Sequence, residues 1–239
     1  MLSNFKNLKV KLFADGADLS TMLDMAKKSY IQGLTTNPTL MRKAGINNYR
    51  KFAKDVLVEI RDKPISFEVF SDDLDEMISQ GMEIASWGNN VNVKIPVTNS
   101  QGASTESVVQ YLSDQGVVLN VTAILTTQQV TKVIECINPN SKAFVSVFAG
   151  RIADTGRDPI PLMQKALEIM KVKPNTELIW ASPRELLNVI QADDIGCHII
   201  TATSDILKKL EIVGKNLNQY SLETVKMFRD DALASGYSI

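Results

Sequence analysis

Short runs of β-branched and aliphatic residues alternate along this chain with longer stretches in which apolar residues recur every three or four positions. The short runs predict buried strands, and the longer stretches predict helices with one apolar face. Strands are expected at 10–15 (VKLFAD), 33–37 (GLTTN), 65–70 (ISFEVF), 91–96 (VNVKIP), 119–124 (LNVTAI), 143–149 (AFVSVFA), 177–182 (ELIWAS) and 197–203 (CHIITAT). Between them, LSTMLDMAKKSYI, YRKFAKDVLVEIRD, DLDEMISQGMEIASWG, STESVVQYLSDQG and PIPLMQKALEIMK carry the helical spacing. Ser71 or Asp72, Ser104, and Ser182 followed by Pro183 stand where N-caps are expected. Eight such β–α units in 239 residues, with no linker between them, predict a single domain, 1–239, folded as an α/β, (β/α)8 TIM barrel. The competing arrangement is a doubly wound sheet. It calls for a glycine-rich phosphate loop after the first strand, and FADGAD is not that loop. An extra C-terminal helix, SLETVKMFRDDALAS (221–235), has no strand to cover, so it either caps the barrel mouth or docks on a neighbouring subunit.

Composition narrows the chemistry. A hydrophobic share of 44% suffices for one large core, and a net charge of −1 gives no footprint for nucleic acid. No apolar run approaches the roughly 18 residues that span a bilayer, and MLSNFKNLKVKLFADG has no secretion-signal pattern. No membrane partner is therefore expected. Cys136 and Cys197 match no metal or redox spacing and read as buried thiols in a reducing, cytoplasmic compartment. The single histidine, His198, is flanked by apolar residues and reads as structural. Zinc chemistry usually draws on several imidazoles, and a serine triad would have to be built around this one. No metal is expected, and lysine becomes the leading nucleophile.

Closure into a barrel changes how the polar residues near the strand ends are read. NVNVKIPVTN (90–99) sets Val91, Val93 and Ile95 on one face and Asn92 and Lys94 on the other, and Pro96 places Lys94 near the strand's end. On an edge strand Lys94 would be solvated. A closed barrel has no edge, and the same face points into the interior. Catalytic groups of such barrels sit at the C-terminal strand ends, where this chain carries Asp15, Thr35, Asn37, Glu68, Lys94, Asn120, Thr122, Ser146 and Ser182. Singly, each has an ordinary alternative: Asp15 as a helix cap, Asn37 before Pro38 as a turn, Glu68 paired with a helix lysine. Together at one mouth they form a cluster in which buried polar groups are tolerated. An inward lysine with apolar neighbours is expected to have its pKa depressed from about 10.4. A neutral amine attacks a carbonyl to form an imine, with Asp15 and Glu68 as proton carriers. The residues alone thus point to a metal-free Schiff-base enzyme acting on carbon–carbon bonds.

GLTTNPTL (33–40), FEV (67–69), VNVKIPVT (91–98), LNVTAILT (119–126), SVFAGRIAD (146–154), ASPRE (181–185) and GCHIITATSDILKKL (196–210) occur in the order and spacing of one family. Through them the chain resembles the transaldolases, and within them the small group that includes fructose-6-phosphate aldolases. The resemblance implies a TIM barrel, a class I mechanism without cofactor, sugar-phosphate substrates such as those of the pentose phosphate pathway, and a pentamer or decamer. Lys94 would form the Schiff base, Asp15 would assist proton transfer and C–C cleavage, and Glu68 would orient water and relay protons. Thr35, Asn37, Asn120 and Thr122 would hydrogen-bond the imine-bound hydroxyls and water, and Ser146 and Phe148 would line the dihydroxyacetone pocket. Arg151, Ser182 and Arg184 would hold the phosphate, with Arg184 at the start of a helix.

Fructose-6-phosphate aldolases typically carry glutamine where Glu68 stands, which favours a transferase. Gly16 after Asp15, and ASPRE where ASFR is common, depart from the family pattern, and Arg157 and Asp158 are placed to reach the mouth. These departures leave the donor or acceptor open to a modified, for instance sulfonated, sugar phosphate. The competing readings are an aldolase releasing free dihydroxyacetone and a catalytically silent sugar-phosphate-binding barrel.

Overall fold

The computed structural model describes residues 5–238. Eight parallel strands, β1 (Lys11–Asp15), β2 (Ile31–Thr35), β3 (Ile65–Glu68), β4 (Val91–Pro96), β5 (Leu119–Ile124), β6 (Ala143–Val147), β7 (Thr176–Trp180) and β8 (Ile199–Thr203), pair in sequence order, and β8 returns to β1. This closed (β/α)8 order excludes the doubly wound sheet, whose strands would not neighbour one another in sequence. The helices are α1 (Leu19–Ala26), α2 (Pro38–Lys43), α3 (Tyr49–Glu59), α4 (Leu74–Ala85), α5 (Glu106–Asp114), α6 (Thr127–Cys136), α7 (Ala149–Asp154), α8 (Ile160–Met170), α9 (Leu187–Asp194), α10 (Ser204–Lys208) and α11 (Leu217–Ala234).

Strand alternation sorts the apolar residues into two layers. The outward faces (Leu12, Leu34, Phe67, Val93, Val121 and Val145 among them) pack with the helix residues Met22, Val56, Met77, Leu112, Val133 and Met163 in one continuous core. Each such side chain contributes on the order of 1.5–3 kcal/mol when fully buried. The inward faces of β1, β6, β7 and β8 supply Phe13, Phe144, Ile179 and Ile199, a second, smaller cluster inside the barrel. The Phe13 and Phe144 ring centroids lie 6.3 Å apart. Phe13 fits only because its register partner is Gly33: a Cβ there would come within 2.5 Å of the ring. This cluster fills part of the barrel interior.

Several strands stop short of their apolar runs. β3 ends at Glu68 and Phe70 is exposed, while β2 ends at Thr35 because Asn37 turns out to cap α2, its Oδ1 accepting from the Leu40 N–H at 2.9 Å. The cap of α4 is Asp73, one residue beyond the expected pair. Asp72 instead accepts hydrogen bonds from the Ser100 N–H and Gln101 Nε2, tying together the loops that follow β3 and β4. The α5 cap position is Thr105, not Ser104. Cys197 is buried, its thiol pushed up to about 12, but Cys136, at the last position of α6, is only half-buried. His198 is exposed at the start of β8, where its Nδ1 accepts the Leu178 N–H at 3.0 Å, a structural contact at the end of the barrel away from the strand tips. Burial of part of the ring pushes the imidazole pKa down. α11 starts four residues earlier than expected and has no buried residue. None of its side chains lines the cavity at the strand ends, so α11 does not cap the mouth. No described helix is long and apolar enough to cross a membrane.

Candidate active site

Lys94 projects from β4 into the barrel and is 6% exposed. Its Nζ donates to the Thr36 carbonyl at 3.0 Å and lies 3.1 Å from Glu68 Oε2. The ion pair follows from register, because Glu68 and Lys94 stand opposite each other in the β3–β4 ladder. The apolar surroundings expected for this amine are therefore replaced by a carboxylate and a carbonyl. Both remain inside the barrel mouth, and the solvated-edge reading of Lys94 does not apply.

Asp15 ends β1 opposite Thr35, whose hydroxyl donates to Asp15 Oδ1 at 2.8 Å. Thr35 has one hydroxyl proton, so with Asp15 ionised the Thr201 hydroxyl, 2.6 Å from Thr35 Oγ1, must donate to Thr35. Burial pushes the Asp15 carboxyl above its ordinary range; the Lys94 charge and the Thr35 hydrogen bond pull it back, and the Glu68 charge adds to the rise. Asp15 is thus a carboxyl held ready to exchange a proton. It does not cap α1, a role taken by Asp18.

β5 and β6 complete the ring. Asn120 Nδ2 donates to Ser66 Oγ at 3.0 Å, and Ser146 Oγ donates to Asn120 Oδ1 at 2.7 Å, so the amide is fixed between β3, two strands away, and the neighbouring β6. Thr122 Oγ1 is buried, with no hydrogen-bond partner among the described residues, and Thr122 lines the cavity. At the next residue, Ala123, φ is +60°, and the β5–β6 register shifts there. Such a bulge at a barrel rim re-aims the chain leaving the strand.

The residues expected to hold a phosphate stand on α7 and the loop after β7. The Arg151 guanidinium lies 5.4 Å from the Phe148 ring centroid. Gly150 lets the loop close onto α7: a Cβ there would fall 1.5 Å from the Ser182 carbonyl oxygen, and Ser182 itself has φ of +59°. Arg184 meets Asp154 through two hydrogen bonds, Nε to Oδ1 at 2.9 Å and Nη2 to Oδ2. Their mutual hydrogen bonding holds the Asp154 carboxyl below its ordinary range. Contrary to expectation, Arg184 does not stand at the start of a helix. α9 begins at Leu187, and the Arg184 N–H is taken by Asn188 Oδ1 at 2.8 Å. Its backbone N–H is therefore not open to a ligand, and its guanidinium is paired with Asp154.

A cavity of about 510 Å³ at the strand ends is lined by all of these candidates: Asp15, Thr35, Asn37, Glu68, Lys94, Asn120, Thr122, Ser146, Phe148, Arg151, Ser182 and Arg184. Arg157 and Asp158 do not line it. Arg157 folds back on Thr155, and Asp158 accepts from the Ile160 N–H at the start of α8. Thr201 and Thr203 line the cavity but were not anticipated. Their alternation with Ala202, opposite Phe13 and Asp15, was the available signal. Among the described residues, no group of three or more His, Cys, Asp and Glu side chains is arranged to hold a metal ion.

Residues 12–238 match the family described as Transaldolase/Fructose-6-phosphate aldolase. The chain is similar to a probable transaldolase of Clostridium acetobutylicum, 35% identical over 202 residues that cover 84% of this chain and 89% of the relative. It is also similar to a probable transaldolase of Thermoanaerobacter sp., 32% identical over 231 residues, 96% of this chain and 100% of the relative. A solved structure described as "QR15, an Aldolase" superposes with a TM-score of 0.55 at 14% identity, over 89% of this chain and 99% of that one. That likeness bears on the fold alone.

Proposed function

The chain belongs to the transaldolase/fructose-6-phosphate aldolase family, and we propose that it transfers a dihydroxyacetone unit from a ketose phosphate to an aldose phosphate through an imine on Lys94. The observation that carries this reading is the buried Lys94 amine at the cavity floor, 3.1 Å from the Glu68 carboxylate and in the same ring of side chains as Asp15.

From the ion pair, Glu68 Oε2 takes one proton of the Lys94 ammonium and frees Nζ to attack the ketose C2 carbonyl. A second proton passes from that nitrogen to the new alkoxide, and Glu68 returns its own to the resulting hydroxyl as the carbinolamine expels water and becomes a protonated imine. Ionised Asp15 then removes the C4 hydroxyl proton. The C3–C4 bond breaks, the aldose leaves, and the bonding pair is stored as an enamine conjugated with the nitrogen. The acceptor aldehyde takes that pair in a new C–C bond while protonated Asp15 delivers its proton to the forming alkoxide. A carboxyl raised by burial suits both directions of this exchange. Water hydrolyses the imine and frees Lys94.

Arg151 supplies the charge for the substrate phosphate, with Arg184, paired to Asp154, beside it. Thr122, whose hydroxyl has no partner among the described residues, and Asn120 face the imine-bound hydroxyls and the hydrolytic water. The glutamate at position 68 favours transfer over release. The protein works in the cytoplasm as a homo-oligomer. Assembly is supported by α11, on which Leu217, Val225 and Phe228 are exposed.

The test is consumption of fructose 6-phosphate with and without an aldose phosphate. Turnover that requires the acceptor supports transfer. Equal turnover with free dihydroxyacetone released assigns an aldolase, and no turnover with any ketose phosphate assigns a binding barrel.

A further inference from the structure

Tyr49 sits at the first position of α3, outside the barrel, and neither lines the cavity nor belongs to any of the matched motifs. Its hydroxyl donates to the main-chain carbonyl of Glu68 at 2.9 Å. The β2–β3 ladder explains why a side chain is needed there. The Leu34 N–H donates to the Pro64 carbonyl, and the Thr36 N–H donates to the Ser66 carbonyl. Parallel ladders advance two residues on each strand, so the next donor in register is position 38 and the next acceptor is Glu68. Asn37 has by then left the strand to cap α2, and position 38, the first of that helix, is proline, which has no N–H. The ladder runs out of donors at the residue whose side chain pairs with Lys94.

We propose that Tyr49 is a positioning residue: its hydroxyl replaces the ladder donor that β2 ends too early to supply and fixes the end of β3, so that the Glu68 carboxylate stays within reach of Lys94 Nζ. The ring is itself held in place. Phe67, Phe70 and Trp87 meet it edge-on at centroid distances of 6.3, 5.8 and 5.6 Å. Burial pushes the phenol pKa up, so the O–H donor persists through the alkaline range. On the other side, Val69 N–H donates to the Lys94 carbonyl at 3.0 Å. The backbone around Glu68 is thereby tied to β4 on one flank and to Tyr49 on the other.

The inference rests on the reading of Glu68 as proton carrier, and a double-mutant cycle separates the two. Tyr49→Phe keeps the ring stack and removes only the hydroxyl. It is expected to lower kcat and the rate of borohydride-trapped imine formation by about five- to tenfold, with KM within about twofold of wild type. In a Glu68→Gln background the same change is expected to have no further effect, because there is no proton carrier left to position. Equal losses in both backgrounds, or no loss in the wild-type background while Glu68→Gln is impaired, overturn the role of Tyr49. A parallel fall in folded fraction that accounts for the lost rate overturns it as well. A fully active Glu68→Gln overturns the reading of Glu68, and this inference with it.

Discussion

Asp15 is where burial and function pull against each other. Its folded pKa stands above the ordinary value of 3.8, chiefly through desolvation. The folded chain therefore holds this proton more tightly than the unfolded chain, and stability falls as pH rises from about 3.8 through the folded value. Asp15→Asn, which cannot ionise, is predicted to be more stable than wild type at neutral pH, with the difference vanishing below pH of about 4. It is also predicted to lose about 100-fold or more in kcat. Thermal unfolding at acid and neutral pH, with initial rates, checks both. A neutral-pH Tm below wild type would contradict the electrostatic account. Residue identities at the strand tips were readable because alternation puts one residue in two inside the barrel. The partner of each was not: Lys94 was expected among apolar groups, and its pairing with Glu68 depends on a β3–β4 register that the sequence does not print. Thr201 and Thr203 escaped for a related reason, since threonine in a strand looks ordinary until its neighbours are known.

At the level of elements, the proposed phosphate site depends on two backbone facts, the close approach of Gly150 to the Ser182 carbonyl and the left-handed Ser182. Gly150→Ala forces α7 and the β7–α9 loop apart. It is predicted to raise KM for phosphorylated substrates by about tenfold or more, with a smaller effect on an unphosphorylated ketose. Kinetics on the two substrate classes test this, and an equal effect on both would place the damage elsewhere. Strand and helix order could be read from the hydrophobic period. The ends could not, because the apolar alternation of ISFEVF continues past the rim while Asn37 and Asp73 leave the ladder to cap helices. The same limit hid the start of α9, where ASPRE proved to be loop and the Arg184 N–H found Asn188 instead of a ligand.

For the whole molecule, barrel closure followed from eight β–α units, whereas the fate of α11 was left between two alternatives. The structure removes the lid. Val225 and Phe228, three residues apart and so on one helical face, are 60% and 63% exposed on a helix with no buried residue. Val225→Asp with Phe228→Asp is predicted to lower the oligomeric state in light scattering and leave the barrel folded by circular dichroism. A wild-type chain that is monomeric at micromolar concentration would contradict assembly through this helix.

A ketose phosphate covalently attached to Lys94 is the intermediate on which the proposed transfer depends. Borohydride reduction of the enzyme during turnover, followed by peptide mass mapping, tests it most directly. One added substrate-derived unit is expected, on the peptide containing Lys94 and absent from Lys94→Met. An active enzyme that gives no adduct, or carries it on another lysine, would contradict it.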